Sequence, residues 1–392
     1  MLTADAGIGL EERLILDLTR TRLAPRAEGG LGIEADGIDW ERLVAVARGH
    51  GVLPLVRRAL SEGSLPSLAS DARSVVEDAA DAAARRSLLM TSKLLQLLAE
   101  LSAAGVAAVP WKGPVLAQML WSDVAMRQYG DLDLLVRRAD LERARDVLLA
   151  TGFRRVAPLP AWQETSYVER NGELELIRDS DGLVVEVHWT VVPSYYASAM
   201  DPEGIWERLE KATIARRTVM TLGPEDLLVA LSIHGFKHRW ERLGWIADIA
   251  RLVQVRPALD WAGLRQRTGR DGSQRIVRLA IGLAGRLFAS AELRAAAHQL
   301  AQDGAADELV EELAAEVLHR MPDGHSVHVT SMQARGRERW RDRIAFVATA
   351  LTTANGGDWA LVTVPGRVSG VYRLIRPLRL VATYVNRARR RG

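Results

Sequence analysis

The segment Gly130-Asp-Leu-Asp-Leu-Leu-Val136 restricts the fold more than any other stretch of the chain. It predicts a strand over Asp131–Val136, in which side chains two residues apart share a face. Asp131 and Asp133 then converge on one spot while Leu132, Leu134 and Val136 pack beneath them. Two carboxylates side by side repel each other unless a cation lies between them. Hard oxygen donors of this kind suit Mg²⁺, which commonly joins protein carboxylates to substrate phosphates. The chain must therefore build a sheet, although both of its ends read as helical.

Upstream lies Trp111-Lys-Gly-Pro114. Gly113 has no side chain, so a phosphate can approach its backbone closely. Pro114 suits the first position of a helix, and the free N–H groups there favour an anion. Lys112 and Arg127 add positive charge against a polyphosphate. Further on, the strand at 183–189 puts Val184, Glu186 and His188 on one face. A glutamate inside an apolar strand is costly to bury unless it is paired or metal-bound. The alternative is an edge strand with Glu186 in water. Asp131 and Asp133 favour the first reading: three carboxylates on neighbouring strands can hold two divalent ions about 3.5–4 Å apart, the spacing used for in-line displacement at phosphorus. His188 shares the face of Glu186 and is read as a support for the carboxylates rather than as a general base.

Periodicity predicts helices over Leu10–Leu23, 40–48 (capped by Asp39) and 70–104 (capped by Ser70 and ended by Gly105). Residues 106–111 read as a short buried strand, 114–121 as a helix and 139–151 as a helix ended by Gly152. Strands are predicted at 165–170, Glu173–Arg178 and 183–189, with hairpin turns at Asn171-Gly172 and Asp181-Gly182. A last strand falls at 216–222. Helices follow at 224–236, 240–255, 261–267, 275–289, 291–320 with a break near Gly304, and 338–354, with a polar loop at 321–337. A basic amphipathic helix closes the chain at 371–391. The expected fold is α+β: a helical region over 1–105, a small mixed sheet core over 106–222, and a larger all-helical domain over 223–392.

The absence of cysteine excludes disulfides, thiolate zinc sites, iron–sulfur clusters and a cysteine nucleophile. It is compatible with the reducing cytoplasm, which is the expected location. No secretory signal is read at the N-terminus, and apolar runs such as 344–350 are too short to span a bilayer. With a net charge of +3 the chain is nearly balanced, so bulk charge makes no case for nucleic acid. The basic tail at 386–392 is read as solvated, with contact to an anionic partner such as RNA or a membrane as the alternative. The 11 tryptophans outnumber the 4 phenylalanines and 6 tyrosines together, and most are read as packing residues.

The order of strand, glycine turn, helix, Asp-x-Asp strand and later acidic strand over 106–190 resembles the polymerase β-like nucleotidyltransferase superfamily. More closely, the chain resembles a bacterial family of uncharacterised nucleotidyltransferases. The likeness rests on Trp111-Lys112-Gly113, on Arg127 with Gly130–Val136, and on Glu186-Val-His188-Trp189. It extends to His234-Gly-Phe-Lys237-His238-Arg-Trp240, Trp245-Ile-Ala-Asp248 and the pattern from Tyr372 to Leu380. The resemblance implies Mg²⁺-dependent transfer of a nucleoside monophosphate from an NTP, ATP foremost, to an acceptor, with release of pyrophosphate. It implies that Asp131, Asp133 and Glu186 hold two Mg²⁺ ions, for which Mn²⁺ can substitute. Lys112, Gly113, Arg127, Gly130, Lys237 and His238 would grip the nucleotide, with His188, His234 and Asp248 behind them. A sugar, a peptide, a protein and an RNA end all remain open as acceptor. One departure is plain: the superfamily has Gly-Ser or Gly-Gly where this chain has Gly113-Pro114, and Lys112 would compensate.

His234 and His238 lie four apart on one helix face. They can be read as metal ligands, as phosphate contacts together with Lys237, or as packing beside Trp240 and Trp245. Asp248 can pair with Lys237 or Arg251, or orient a histidine. Two other functions fit parts of the pattern. One is a glycosyltransferase that uses Asp-x-Asp to hold a metal and a nucleotide sugar; the other is a catalytically silent nucleotide-binding regulator, against which the intact carboxylates argue.

Overall fold

The computed structural model describes residues 8–23, 37–65, 69–156, 172–192, 200–319, 331–354, 358, 361–362 and 370–389. Four helices come first: α1 (Leu10–Leu23), α2 (Trp40–Gly49), α3 (Leu53–Ser61) and α4 (Ser70–Ala103). The Asp39 side chain caps α2 by accepting from the Arg42 N–H, as expected. The sequence reading has no counterpart of α3, a short helix with Pro54 in its first turn. Ser70 does not cap α4: Ala69 holds the cap position without a side-chain bond, and Ser70 is already helical.

The sheet follows, built from β1 (Ala108–Pro110), β2 (Asp131–Val136), β3 (Phe153–Arg155), β4 (Glu173–Arg178) and β5 (Leu183–His188). Its order is β1-β2-β5-β4-β3. β2 and β5 run parallel at the centre, and every other pairing is antiparallel. Helix α5 (Gly113–Trp121) joins β1 to β2, and α6 (Leu141–Ala150) precedes β3. The Asp181-Gly182 turn closes β4 onto β5 as expected, with Gly182 at φ +64°. The predicted strand at 165–170 and the turn at Asn171 lie outside the described residues. The short β3 carries no alternation long enough to read.

After α7 (Pro202–Glu207), β6 (Glu210–Ile214) and β7 (Arg217–Thr221) form a separate two-stranded ribbon. The sequence reading has only the second of these strands. Ala215 and Arg216 make the turn, both at positive φ, which suits the twist of a two-residue hairpin. Next come α8 (Pro224–Lys237), α9 (Leu243–Val255), α10 (Trp261–Asp271), α11 (Gln274–Leu287), α12 (Ala291–Ala297) and α13 (Gly304–Glu316). Helix α9 starts three residues later than expected because Arg239 and Trp240 sit at φ +56° and +52°, where a right-handed helix cannot begin. Part of the predicted polar loop is a short helix, α14 (Ser331–Arg335), and α15 (Trp340–Thr352) and α16 (Tyr372–Arg389) complete the chain.

Two apolar cores hold these elements. One lies beneath the sheet and gathers Leu132, Leu134, Val136, Val185 and Val187 with Leu94, Leu97 and Leu148. The larger joins α1–α3 to α8–α13 and reaches Leu135 on the other face of β2. Each fully buried Leu or Val contributes about 1.5–3 kcal/mol, so the apolar face of the sheet is covered and β2 is fixed in register. Among the described residues, no helix is long and apolar enough to cross a membrane.

Candidate active site

The parallel pairing of β2 with β5 sets Asp133 opposite Glu186 and Leu135 opposite His188. Alternation then turns Asp131, Asp133, Glu186 and His188 toward one face, because the other face is filled by Leu132, Leu134, Val185 and Val187. On the next strand Glu173 stands opposite His188. The His188 Nε2 lies 3.2 Å from Asp133 Oδ1 and 3.3 Å from Glu186 Oε2, while its Nδ1 lies 3.5 Å from Glu173 Oε2. From the turn before α5, Lys112 Nζ donates to Asp133 Oδ1 at 2.6 Å.

These groups line a cleft of about 410 Å³. One wall holds Asp131, Asp133, Glu186, His188, Lys112 and Gly130; the other holds His234, Lys237 and His238 from the end of α8, with Arg242 and Trp245 from the start of α9. Arg127 also lines the cleft. Gly113 does not, and its requirement is conformational. It sits at φ +54°, while a Cβ there would meet only ordinary contacts, the nearest being the Asp131 carbonyl at 3.6 Å. The turn therefore needs glycine to aim Lys112 rather than to clear space.

Asp248 takes a partner that the sequence reading did not consider. Its Oδ2 accepts from Arg127 Nε at 2.9 Å, with both side chains buried. Arg251 instead donates to the Leu120 carbonyl, and Lys237 lies 3.9 Å from Glu173 Oε1. His234 and His238 flank Trp245, with ring centroids 4.9 and 5.4 Å from it. Burial, then the nearby lysines, holds both imidazoles low, His238 at about 3, so both are neutral at neutral pH. Among the described residues, neither belongs to the group able to hold a metal.

Glu173, Trp245 and Arg242 are among the cleft residues that the sequence reading of the site does not name. Glu173 sits in an ordinary alternating strand, and only its register beside His188 gives it meaning. Trp245 was read as packing, yet it faces the cleft. Arg242 stacks its guanidinium 5.3 Å from the Trp245 ring centroid, and its buried Nε has no hydrogen-bond partner among the described residues. No local pattern singles it out.

Electrostatics tests whether a cation fits. Burial, then the charges of Asp133 and Glu186, pushes Asp131 up to about 7 despite Lys112 and Arg127. Burial also opposes charge on Asp133, but Lys112 and His188 overcome it and hold that carboxylate well below its usual range. For His188, burial is outweighed by the bonds to Asp133 and Glu186 and by the charge of Glu173, which raise it to about 9. Burial and two neighbouring carboxylates thus make charge on Asp131 costly, a cost that a bound cation would relieve. Asp133, Glu186 and His188 bring ligand atoms within 4.8 Å of one another, His188 only once it sheds its proton, and Asp131 is not one of this group. An oxygen-rich set of crowded carboxylates fits a hard divalent cation.

A small mixed sheet set among many helices makes the protein an α+β fold with acidic strands lining a cleft. The family model for uncharacterised nucleotidyltransferases matches residues 36–289, and the chain belongs to that family. No curated protein and no solved structure matches it.

Proposed function

We propose that the protein is a Mg²⁺-dependent nucleotidyltransferase that moves a nucleoside monophosphate from an NTP, ATP foremost, to an acceptor. The observation that carries this reading is that Asp131, Asp133 and Glu186, with Lys112 beside them, line one cleft together with Lys237 and Arg242. In this reading 106–222 is the catalytic core, 1–105 a helical brace, and 223–392 a helical domain that supplies the opposing wall. The cytoplasm, where NTPs are made, is its proposed location.

Asp131, Asp133 and Glu186 would hold two Mg²⁺ ions, which when bound lower the barrier to ionising the acceptor and neutralise charge on the leaving phosphates. The acceptor oxygen attacks the α-phosphorus; a new P–O bond forms, the α–β P–O bond breaks and pyrophosphate leaves. The acceptor proton passes to water. Lys112 and His188 hold the Asp133 carboxylate in place, and Glu173 holds His188 from its other nitrogen. Arg127, Lys237 and Arg242 offset the polyphosphate charge, and Trp245, with His234 and His238 beside it, offers an aromatic face to the base.

Incubation with α-labelled ATP, Mg²⁺ and cell lysate tests the reading. Label is expected to pass to an acceptor as pyrophosphate appears, and mass spectrometry of the labelled species identifies that acceptor. Nucleotide binding without pyrophosphate release, or release of a nucleoside diphosphate from a nucleotide sugar, would overturn it. Arg242→Ala is expected to raise KM for the NTP about tenfold with little change in kcat, since the group binds ground and transition states alike. Steady-state kinetics checks this.

A further inference from the structure

Helix α15 presents Trp340, Ile344, Val347 and Leu351 to solvent, with Trp340 74% exposed. Their four-, three- and four-residue spacing places them on one helix face. The opposite side holds the buried Phe346. Helix α16, which packs against α15, exposes Leu374 and Leu378, the latter 72%. These stripes are not scattered surface residues. Six large apolar side chains exposed on two helices packed together are of the kind that marks a docking surface.

Charge identifies the occupant. Asp358 is the last acidic residue of the chain, and it is buried and bound to Arg376 and Arg379. From 359 to 392 the sequence has no Asp or Glu, but it has Arg367, Arg373, Arg376, Arg379, Arg387, Arg389, Arg390 and Arg391. Arg341 on α15, 3.8 Å from the largely buried Asp342, is also largely exposed, as is Arg373 on α16. A second copy would bring like charges face to face. An RNA backbone would leave the Trp, Ile and Leu side chains without a partner. Basic helices with exposed Trp, Leu and Ile suit an anionic bilayer surface, where apolar side chains enter the acyl boundary and arginines meet the headgroup phosphates. Among the described residues no helix can span a bilayer, so such contact is peripheral.

We propose that α15 and α16 dock the protein on anionic phospholipid surfaces. The two helices lie beyond the 36–289 family match, and the inference is independent of the chemistry in the cleft. Flotation of the full chain with vesicles of phosphatidylcholine, with and without phosphatidylglycerol, tests it. The protein is expected to float with the anionic vesicles alone and to be released by salt. Leu374→Gln with Leu378→Gln is expected to lower binding about tenfold or more, with the thermal melt and circular dichroism unchanged because both leucines are exposed. Failure to float with anionic vesicles would overturn the proposal. So would undiminished flotation of the double variant. Light scattering that shows a wild-type dimer, a monomeric variant and no vesicle binding would assign the surface to a second copy instead.

Discussion

Replacing Asp133 with asparagine is expected to lower nucleotidyl transfer by about three orders of magnitude, equivalent to about 4 kcal/mol of transition-state stabilisation. Asp133 is the residue on which the cluster converges. It accepts from Lys112 at 2.6 Å, contacts His188 and stands opposite Glu186 across the parallel strands. Asparagine keeps the shape but removes the charge that a divalent ion needs. The change also takes one partner from a buried ion pair, a loss that costs about 3–5 kcal/mol where nothing replaces it. Here Glu186 and Asp131 remain near Lys112, so a smaller fall in stability is expected. Pyrophosphate release should be measured well below the melting temperature. Turnover within tenfold of the wild type would remove Asp133 from the metal site.

Asp131→Asn is expected to do something different: abolish turnover while stabilising the metal-free protein above pH 7 by about 2 kcal/mol. Burial and the charges of Asp133 and Glu186 raise Asp131 from its ordinary 3.8 to about 7. The folded state therefore keeps a proton that the unfolded chain has already shed. Native stability falls as pH climbs through that window, and above it the whole penalty is present. Partial solvent access to Asp131 makes the penalty smaller than the full shift implies. Asparagine removes the charge and with it the penalty. Mg²⁺ should raise the melting temperature of the wild type much more than that of the variant, because bound ion relieves the same repulsion. Urea unfolding at pH 5 and pH 8, with and without Mg²⁺, measures all of this. A variant less stable than the wild type at pH 8 without metal would contradict the electrostatic account.

Much of this cleft could be read along the chain because strand alternation is local. Once Asp131–Val136 and Leu183–His188 are strands, the period of two decides which side chains share a face. What alternation cannot give is register. Asp133 meets Glu186, rather than Glu186 meeting Asp131, because of how β5 slides against β2. Glu173 acquires its place from a hairpin partner for the same reason. The pairing of Arg127 with Asp248 joins residues 121 apart in sequence, and no periodicity records such a meeting. Helix ends were the other weak point. The left-handed backbone at Arg239 and Trp240 is set by packing: a Cβ on Gly235 would come within 2.3 Å of the Trp240 ring. Without that approach α9 could begin where its apolar pattern does, and Arg242 would not reach the cleft by the same path.

The Arg127–Asp248 pair also bears on how substrate enters and leaves. It rivets the loop before β2 to α9, so the two sides of the catalytic gap are clamped at their root. Prising them apart would strand two bare charges in a buried setting, a heavy toll for any separation of the two sides. Nucleotide exchange should leave the backbone frame as it was.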